Sequence, residues 1–304
     1  MPGFKPRYDL LHKRSEQFTR MLHGLGDGDV RALHRTRVAS RRLREVLPVL
    51  QLDGEVARKL NRRLRKVTRR LGRVRNLDVV LLQIDELRGR GRPDKRALTR
   101  LAAAVAEERG EERARMAAKL PVSDLHRLAG KLDKIARQLK ATERPVEARD
   151  AVKGKSWQWA IEARLARRAA RLAAAIEDAG AVYLPGRLHA VRIALKKMRY
   201  AIELSLESAG QRSTLELRTL KRGQETLGRL HDVQVLIDRV RQLQASLTPP
   251  DIVVWRELDA LVTSLEDDCR RLHARYMRDR AALLEICGRD AARPAASSGR
   301  RRAG

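Results

Sequence analysis

Aromatic side chains are scarce in this sequence: phenylalanine, tryptophan and tyrosine make up 3% of its 304 residues. A hydrophobic core must therefore consist mainly of leucine, valine, isoleucine and alanine, which fill helix–helix interfaces well. The scarcity also argues against binding of single-stranded nucleic acid by base stacking. Glycine and proline are few as well, and they cluster between periodic segments, a pattern typical of long helices joined by short loops.

Only two cysteines occur, Cys269 and Cys287, so the sequence implies no disulfide framework. No apolar run approaches the length of about 18 residues that would predict a transmembrane helix. Residues 1–11 lack the apolar core of a signal peptide. We therefore expect a protein of the reducing cytoplasm that does not insert into membranes.

Acidic residues are outnumbered, with 38 Asp and Glu against 67 Lys and Arg, which gives a formal net charge of +29. A compact body with this charge repels itself. A large acidic partner is the simplest compensation. The candidates are nucleic acid, an anionic membrane surface and an inorganic polyanion.

Apolar residues recur at helical spacing along most of the chain, and no segment shows the alternation of a strand. The predicted fold class is therefore all-α. The predicted helices cover residues 8–23, 30–51, 55–88, 94–119, 121–142, 157–179, 188–209, 212–245 and 251–286. Asp27 or Asp29 is expected to cap the second of them.

The chain divides at residues 143–156, around Pro145, which we predict to be a linker. An N-terminal helical half, 8–142, precedes it, and a C-terminal helical half, 157–287, follows. Residues 290–304 contain mostly Ala, Ser, Gly, Pro and Arg, and this composition predicts a disordered basic tail.

Two motifs occur once in each half. Leu33–Arg44 matches Leu188–Arg199, and Leu71–Val79 matches Leu227–Val235, at separations of 155 and 156 residues. Motifs that recur in the same order at nearly the same separation indicate an internal repeat. The repeat predicts two pseudo-symmetric helical bundles that face each other.

The first motif places basic residues on one narrow stripe of its helix, with apolar residues on the opposite arc. The stripe consists of His34, Arg37, Arg41 and Arg44 in the first copy and of His189, Arg192, Lys196 and Arg199 in the second. The helix that follows continues the pattern. It carries Arg58, Arg62, Arg65, Arg69 and Arg73 in the first half and Arg218, Lys221, Arg222 and Arg229 in the second.

Like charges one helical turn apart destabilise a helix by a few tenths of a kcal/mol per pair, and a bound polyanion would offset that cost. Each stripe taken alone is also compatible with a solvated face, on which arginine stems cover apolar neighbours. Matched stripes in both halves favour a binding surface. Guanidinium groups suit phosphate because they donate two parallel hydrogen bonds to its oxygens.

The equivalent histidines, His34 and His189, have two interpretations. They donate hydrogen bonds to phosphate, or they pack between helices and bond to a carbonyl or an acid. A metal site is disfavoured, because no His-x3-His or Cys-x2-Cys spacing occurs. Asp78 and Asp232, in the second motif, are expected to orient arginines through ion pairs or to cap helices.

Catalytic motifs are missing. The sequence contains no P-loop, no Gly-x-Ser-x-Gly elbow and no acidic metal cluster. Hydrolysis of phosphoanhydrides usually requires a divalent cation that carboxylates hold. We therefore predict a protein without enzymatic activity and without a cofactor.

The two motifs, Leu-His-x2-Arg-Val-x2-Arg-Arg-Leu-Arg at 33–44 and Leu-Gly-x-Val-Arg-Asn-Leu-Asp-Val at 71–79, resemble those of the CHAD family, the conserved histidine α-helical domain. The resemblance extends from about residue 8 to residue 287. It implies two helical bundles around a basic central cavity. It also implies binding of inorganic polyphosphate and, in some members, association with polyphosphate granules. Asn76 stands where the family usually has Asp.

Carried over by position, the resemblance implies that polyphosphate binds to His34, Arg37, Arg41, Arg42, Arg44, His189, Arg192, Lys196, Lys197 and Arg199. Further basic residues would line the cavity from the helix that follows the first motif in each half, and we call them the ridge residues: Arg62, Arg65, Arg69, Arg73, Lys221, Arg222 and Arg229. Two alternatives stay open. The charge also suits nonspecific nucleic-acid binding, and the protein could regulate an enzyme of polyphosphate metabolism.

Overall fold

The computed structural model describes residues 6–26, 29–89, 95–142, 151–211, 215–247 and 251–291. Within these ranges the chain is all-helical, as predicted, and contains no strand. Its α-helices are α1 (Arg7–Arg20), α2 (Val30–Val46), α3 (Gly54–Gly89), α4 (Lys95–Lys119), α5 (Val122–Thr142), α6 (Ala151–Ala179), α7 (Pro185–Ser208), α8 (Leu215–Ala245) and α9 (Ile252–Ala291). None of these described helices is long and apolar enough to span a membrane.

The ends of α2 follow from its local sequence. Asp29 is its N-cap, and the Arg31 amide donates a hydrogen bond of 2.7 Å to the Asp29 carboxylate. The helix ends at Val46 instead of continuing to residue 51. Pro48, which has no amide hydrogen to continue the helical pattern, lies there in a short 3-10 turn.

The predicted linker and tail fall mostly outside the described residues. Residues 143–150 and 292–304 are not described. Helix α6 begins at Ala151, ahead of the predicted start at Trp157, and α9 continues to Ala291.

Among the described residues, three hydrophobic cores hold the helices together. The first packs α1, α2, α3 and α5 against Trp157 and Ile161 of α6. The second packs α6, α7, α8 and the C-terminal part of α9. The third joins the C-terminal parts of α3 and α8 to α4 and the first part of α9. Both halves contribute to this third core, which places α3 beside α8. Helix α2 lies beside α7.

A buried ion pair lies beside the third core. Asp78 on α3 is 4% exposed, and the Arg109 Nε on α4 donates a hydrogen bond of 2.6 Å to its Oδ1. Asp78 therefore holds an arginine in position, which is one of the two roles that its sequence position predicts.

We expect Asp78→Ala to lower the free energy of unfolding by about 2–3 kcal/mol, because removing one partner leaves the other charge partly buried and unpaired. Urea denaturation measures this loss. The matched control is Asp85→Ala on the same helix, where an exposed carboxylate pairs with Arg88 at 3.6 Å, and its cost should stay below about 1 kcal/mol. Equal losses in the two variants would contradict a stabilising role for the buried pair.

Candidate functional site

A pocket of about 220 Å³ lies where the two halves meet, between α2 and α3 on one side and α7 and α8 on the other. Its basic lining residues are Arg37, Arg41, His189, Arg192, Lys196 and His231. Asp232 is the only carboxylate among the described residues that line it. The pocket thus collects positive charge from both halves of the chain.

Helix periodicity explains why these basic side chains lie on one face of their helix. Leu33 and Leu43 are buried on the apolar face of α2, so Arg37 and Arg41, one turn apart, lie together on another face. The Arg37 guanidinium crosses α3 at Gly72, where a Cβ atom would lie 3.2 Å from its Nε. A side chain at position 72 would therefore displace Arg37.

The positively charged side chains in the pocket lie close enough to repel one another. Burial, together with the nearby charges of Arg41 and Arg192, lowers the pKa of Arg37 to about 10. Its Nε is buried without a hydrogen-bond partner among the described residues. Arg37 stays protonated at neutral pH, so this pocket-lining residue carries a buried donor whose hydrogen bond no described residue accepts.

Lys196 experiences the same crowding more strongly. Burial, together with the charges of Arg41, Arg192 and Arg37, lowers its pKa to about 7. A lysine ordinarily titrates near 10.4. Lys196 therefore loses much of its charge near neutral pH unless an anion neutralises its neighbours.

Two histidines of the C-terminal half meet in the pocket. The Nδ1 atoms of His189 and His231 are 3.2 Å apart, so one ring donates a hydrogen bond to the other. Burial, together with the neighbouring Arg192 and His189, lowers the pKa of His231 to about 4. Burial also lowers the pKa of His189. Both rings are therefore neutral at neutral pH.

The counterpart in the N-terminal half is different. His34 is exposed and does not line the pocket. Its ring is nevertheless partly shielded from solvent, and this desolvation together with the charges of Arg75, Arg37 and Arg41 lowers its pKa. Arg75 and His231 occupy the same position in the two copies of the second motif. His34 lies near Arg75 in the first half, as His189 lies near His231 in the second. Within the described residues, no group of three or more His, Cys, Asp or Glu is placed to hold a metal ion.

Asp232 faces the cations of both halves. Burial raises the pKa of this carboxyl, and Arg192, Arg75, Arg229 and Arg37 oppose the rise. A single carboxylate offsets only part of the charge in the pocket.

The family model of the CHAD domain matches residues 10–241. The chain belongs to the CHAD family. A crystal structure of the CHAD domain from the plant Ricinus communis shares the fold, with a TM-score of 0.61 at 22% sequence identity, over 93% of this chain and 94% of that one. The search of curated proteins found no similar sequence.

Two residues of the CHAD motif lie away from the pocket. Arg42 and Arg199 both pair with Glu203, at 3.6 and 3.4 Å. Arg42 lines a separate pocket with Arg14 and Glu207. These two arginines therefore have carboxylate partners within the CHAD domain itself.

The ridge residues of the CHAD domain also lie outside the pocket. Arg73 pairs with Glu112 at 3.8 Å, Arg222 with Asp279 at 3.2 Å and Arg229 with Glu86 at 2.8 Å. Arg62, Arg65, Arg69 and Lys221 are exposed. Arg44 and Lys197 lie next to the pocket, since Arg44 is near Arg41 and Lys197 is near Lys196.

Four polar residues line the pocket that were not predicted to bind the ligand. Asn76, His231 and Asp232 belong to the second repeated motif, and Gln83 lies two helical turns beyond Asn76. The repeated motif could have indicated Asn76, His231 and Asp232 as lining residues. Gln83 lies outside the motif, and only the packing of α3 against α8 brings it there.

Proposed function

We propose that this CHAD domain binds inorganic polyphosphate in the pocket between its two halves, without catalysing a reaction. We further propose that it associates through this pocket with polyphosphate granules in the cytoplasm. The observation that carries the proposal is the convergence of Arg37 and Arg41 with Arg192 and Lys196 around one carboxylate.

The matched origin of these cations supports a repeating ligand. Arg37 corresponds to Arg192 in the internal repeat, and Arg41 corresponds to Lys196. The two halves thus present equivalent cations on opposite walls of one pocket, as two pseudo-symmetric bundles would. A linear chain of linked phosphates offers an oxygen acceptor to both walls along its length, and arginine binds phosphate with directed, paired donors.

The electrostatics supports an anion of several charges. Burying like charges together is costly, and the lowered pKa values of Arg37 and Lys196 reflect that cost. A bound polyanion would remove the repulsion. Catalysis of phosphoanhydride hydrolysis would need carboxylates to hold a divalent cation, and Asp232 alone among the described lining residues could contribute one.

Nucleic-acid binding is the second candidate. The exposed arginines Arg62, Arg65 and Arg69 on α3 favour it, because they lie on a surface that a duplex could reach. The two functions differ in where the ligand must fit, since a pocket of about 220 Å³ excludes a duplex.

We expect long-chain polyphosphate to bind with an affinity that falls about a hundredfold between 50 and 200 mM salt, because several cations release counterions on binding. Fluorescence titration at several salt concentrations measures this slope. Duplex DNA of equal total charge is the competitor. If it displaces polyphosphate at equal charge concentration, pocket binding is wrong and surface binding of nucleic acid is favoured.

A further inference from the structure

Helix α6 carries a basic stripe that the repeated motifs do not include. Arg164, Arg168 and Arg171 follow one another at intervals of four and three residues. Arg37, Arg41 and Arg44 on α2 have the same spacing, and so do Arg192, Lys196 and Arg199 on α7. This spacing places the three α6 side chains on one face, about 10 Å from first to last.

A carboxylate of α2 holds two members of this stripe. Glu45 accepts a hydrogen bond of 3.2 Å from the Arg164 Nε and lies 3.5 Å from the Arg168 Nη2. The side chains of Glu45 and Arg164 are each 15% exposed, and that of Arg168 is 13% exposed. Two guanidinium groups are therefore held around one anionic group, as they would be around a phosphate.

The stripe continues the positive charge of the pocket. Lys196 in the pocket is near Lys197, and burial together with the charges of Arg168 and Arg171 lowers the pKa of Lys197. On α2, Arg44 is near both Arg41 and Arg65. Each cation thus has a cationic neighbour from the pocket to α6.

We propose that the α6 stripe is a second phosphate subsite, along which a long polyphosphate chain continues after it leaves the pocket. The Glu45 carboxylate occupies this subsite when no chain is bound, and it keeps Arg164 and Arg168 in place. A phosphate group of the chain displaces it. This inference rests on polyphosphate binding in the pocket. It extends that function to chains longer than the pocket can hold.

The test compares a long chain with tripolyphosphate, which is short enough to bind in the pocket alone. We expect Arg168→Gln with Arg171→Gln to lower the affinity for long-chain polyphosphate about tenfold and to reduce its salt slope by about two. Affinity for tripolyphosphate should change no more than in the control. The control, Arg137→Gln with Arg270→Gln, removes the same charge from exposed positions on α5 and α9.

Glu45→Gln provides an independent readout, because it removes the internal competitor. We expect it to raise the affinity for the long chain severalfold and to leave that for tripolyphosphate nearly unchanged. This gain does not depend on the α6 arginine variants being folded.

The outcomes separate the two levels of the proposal. If wild type binds neither ligand, the proposed function itself is wrong. If wild type binds both, and the α6 variant matches the charge control on the long chain, the pocket function stands and the subsite is wrong. Equal losses on long and short ligands would also overturn the subsite, because they would make α6 part of the pocket.

Discussion

Arg37→Gln with Arg192→Gln is expected to lower the affinity for long-chain polyphosphate by at least about a hundredfold. Each guanidinium contributes charge-assisted hydrogen bonds of about 1.5–3 kcal/mol, and the two residues stand on opposite walls of the pocket. Burial lowers the pKa of both, and the positive charge of Arg41 lowers both further. Their removal should therefore relieve repulsion and keep the helices intact.

Titration with polyphosphate measures the affinity, and circular dichroism with thermal melting measures the fold. The charge-matched control is again Arg137→Gln with Arg270→Gln, whose side chains are exposed and paired within their own helices. Loss of binding in the pocket variant at unchanged helicity supports the proposal. Similar affinities of the pocket variant and the control would show that total charge, and not the pocket, binds the ligand.

Affinity for polyphosphate is expected to fall about tenfold between pH 7 and pH 8.5 in wild type, and to change little in Lys196→Arg. Lys196 has a pKa of about 7 in the free protein. It is charged below that pH and neutral above it. A bound polyanion favours the charged form, so binding above pH 7 requires uptake of a proton. Arginine stays protonated throughout this pH range, so Lys196→Arg binds polyphosphate without taking up a proton.

The two histidines that share the pocket with Lys196 titrate on the acid side of this pH range. Arg37 and Arg41 on α2 and Arg192 on α7 face it, while His189, His231 and Asp232 line the same pocket. Burial lowers the pKa of both histidines. The control is Lys134→Arg, on the exposed face of α5, and it should keep the wild-type slope. A wild-type affinity that is flat from pH 7 to 8.5 would contradict the prediction.

The same lowered pKa affects stability with the opposite sign. The unfolded chain binds a proton at Lys196 up to about pH 10.4, whereas the folded chain releases it near pH 7. Lys196 therefore makes the ligand-free protein more stable as the pH rises through this range. Polyphosphate stabilises the fold most at the lower end, where binding is strongest.

The helices could be predicted because their information is local. Apolar spacing and a cap at Asp27 or Asp29 predicted the helices, and the structure is all-helical in its described residues, with Asp29 as the cap. The main differences lie at ends such as Val46 and Ala151. The exact residue at which a helix begins or ends depends on the relative strength of neighbouring start and stop signals, and a single sequence does not rank these signals.

The candidate site could be predicted only in part, for a geometric reason. The stripes on α2 and α7 were readable from helix periodicity, and Arg37, Arg41, Arg192 and Lys196 do line one pocket. Adjacent positions differ by about 100° around a helix. Arg42, one residue after Arg41, therefore faces Glu203 instead of the pocket. Nothing in the sequence near Arg42 shows which helix carries its partner.

The sequence by itself determined the helical architecture, the repeat and the basic faces, because periodicity and charge are properties of each segment alone. The tertiary structure decided which basic faces meet. Its third core brings α3 beside α8. Arg229 and Arg222 pair with the distant acids Glu86 and Asp279 and do not line the pocket. Those contacts join residues far apart in the chain, and only packing in three dimensions selects them.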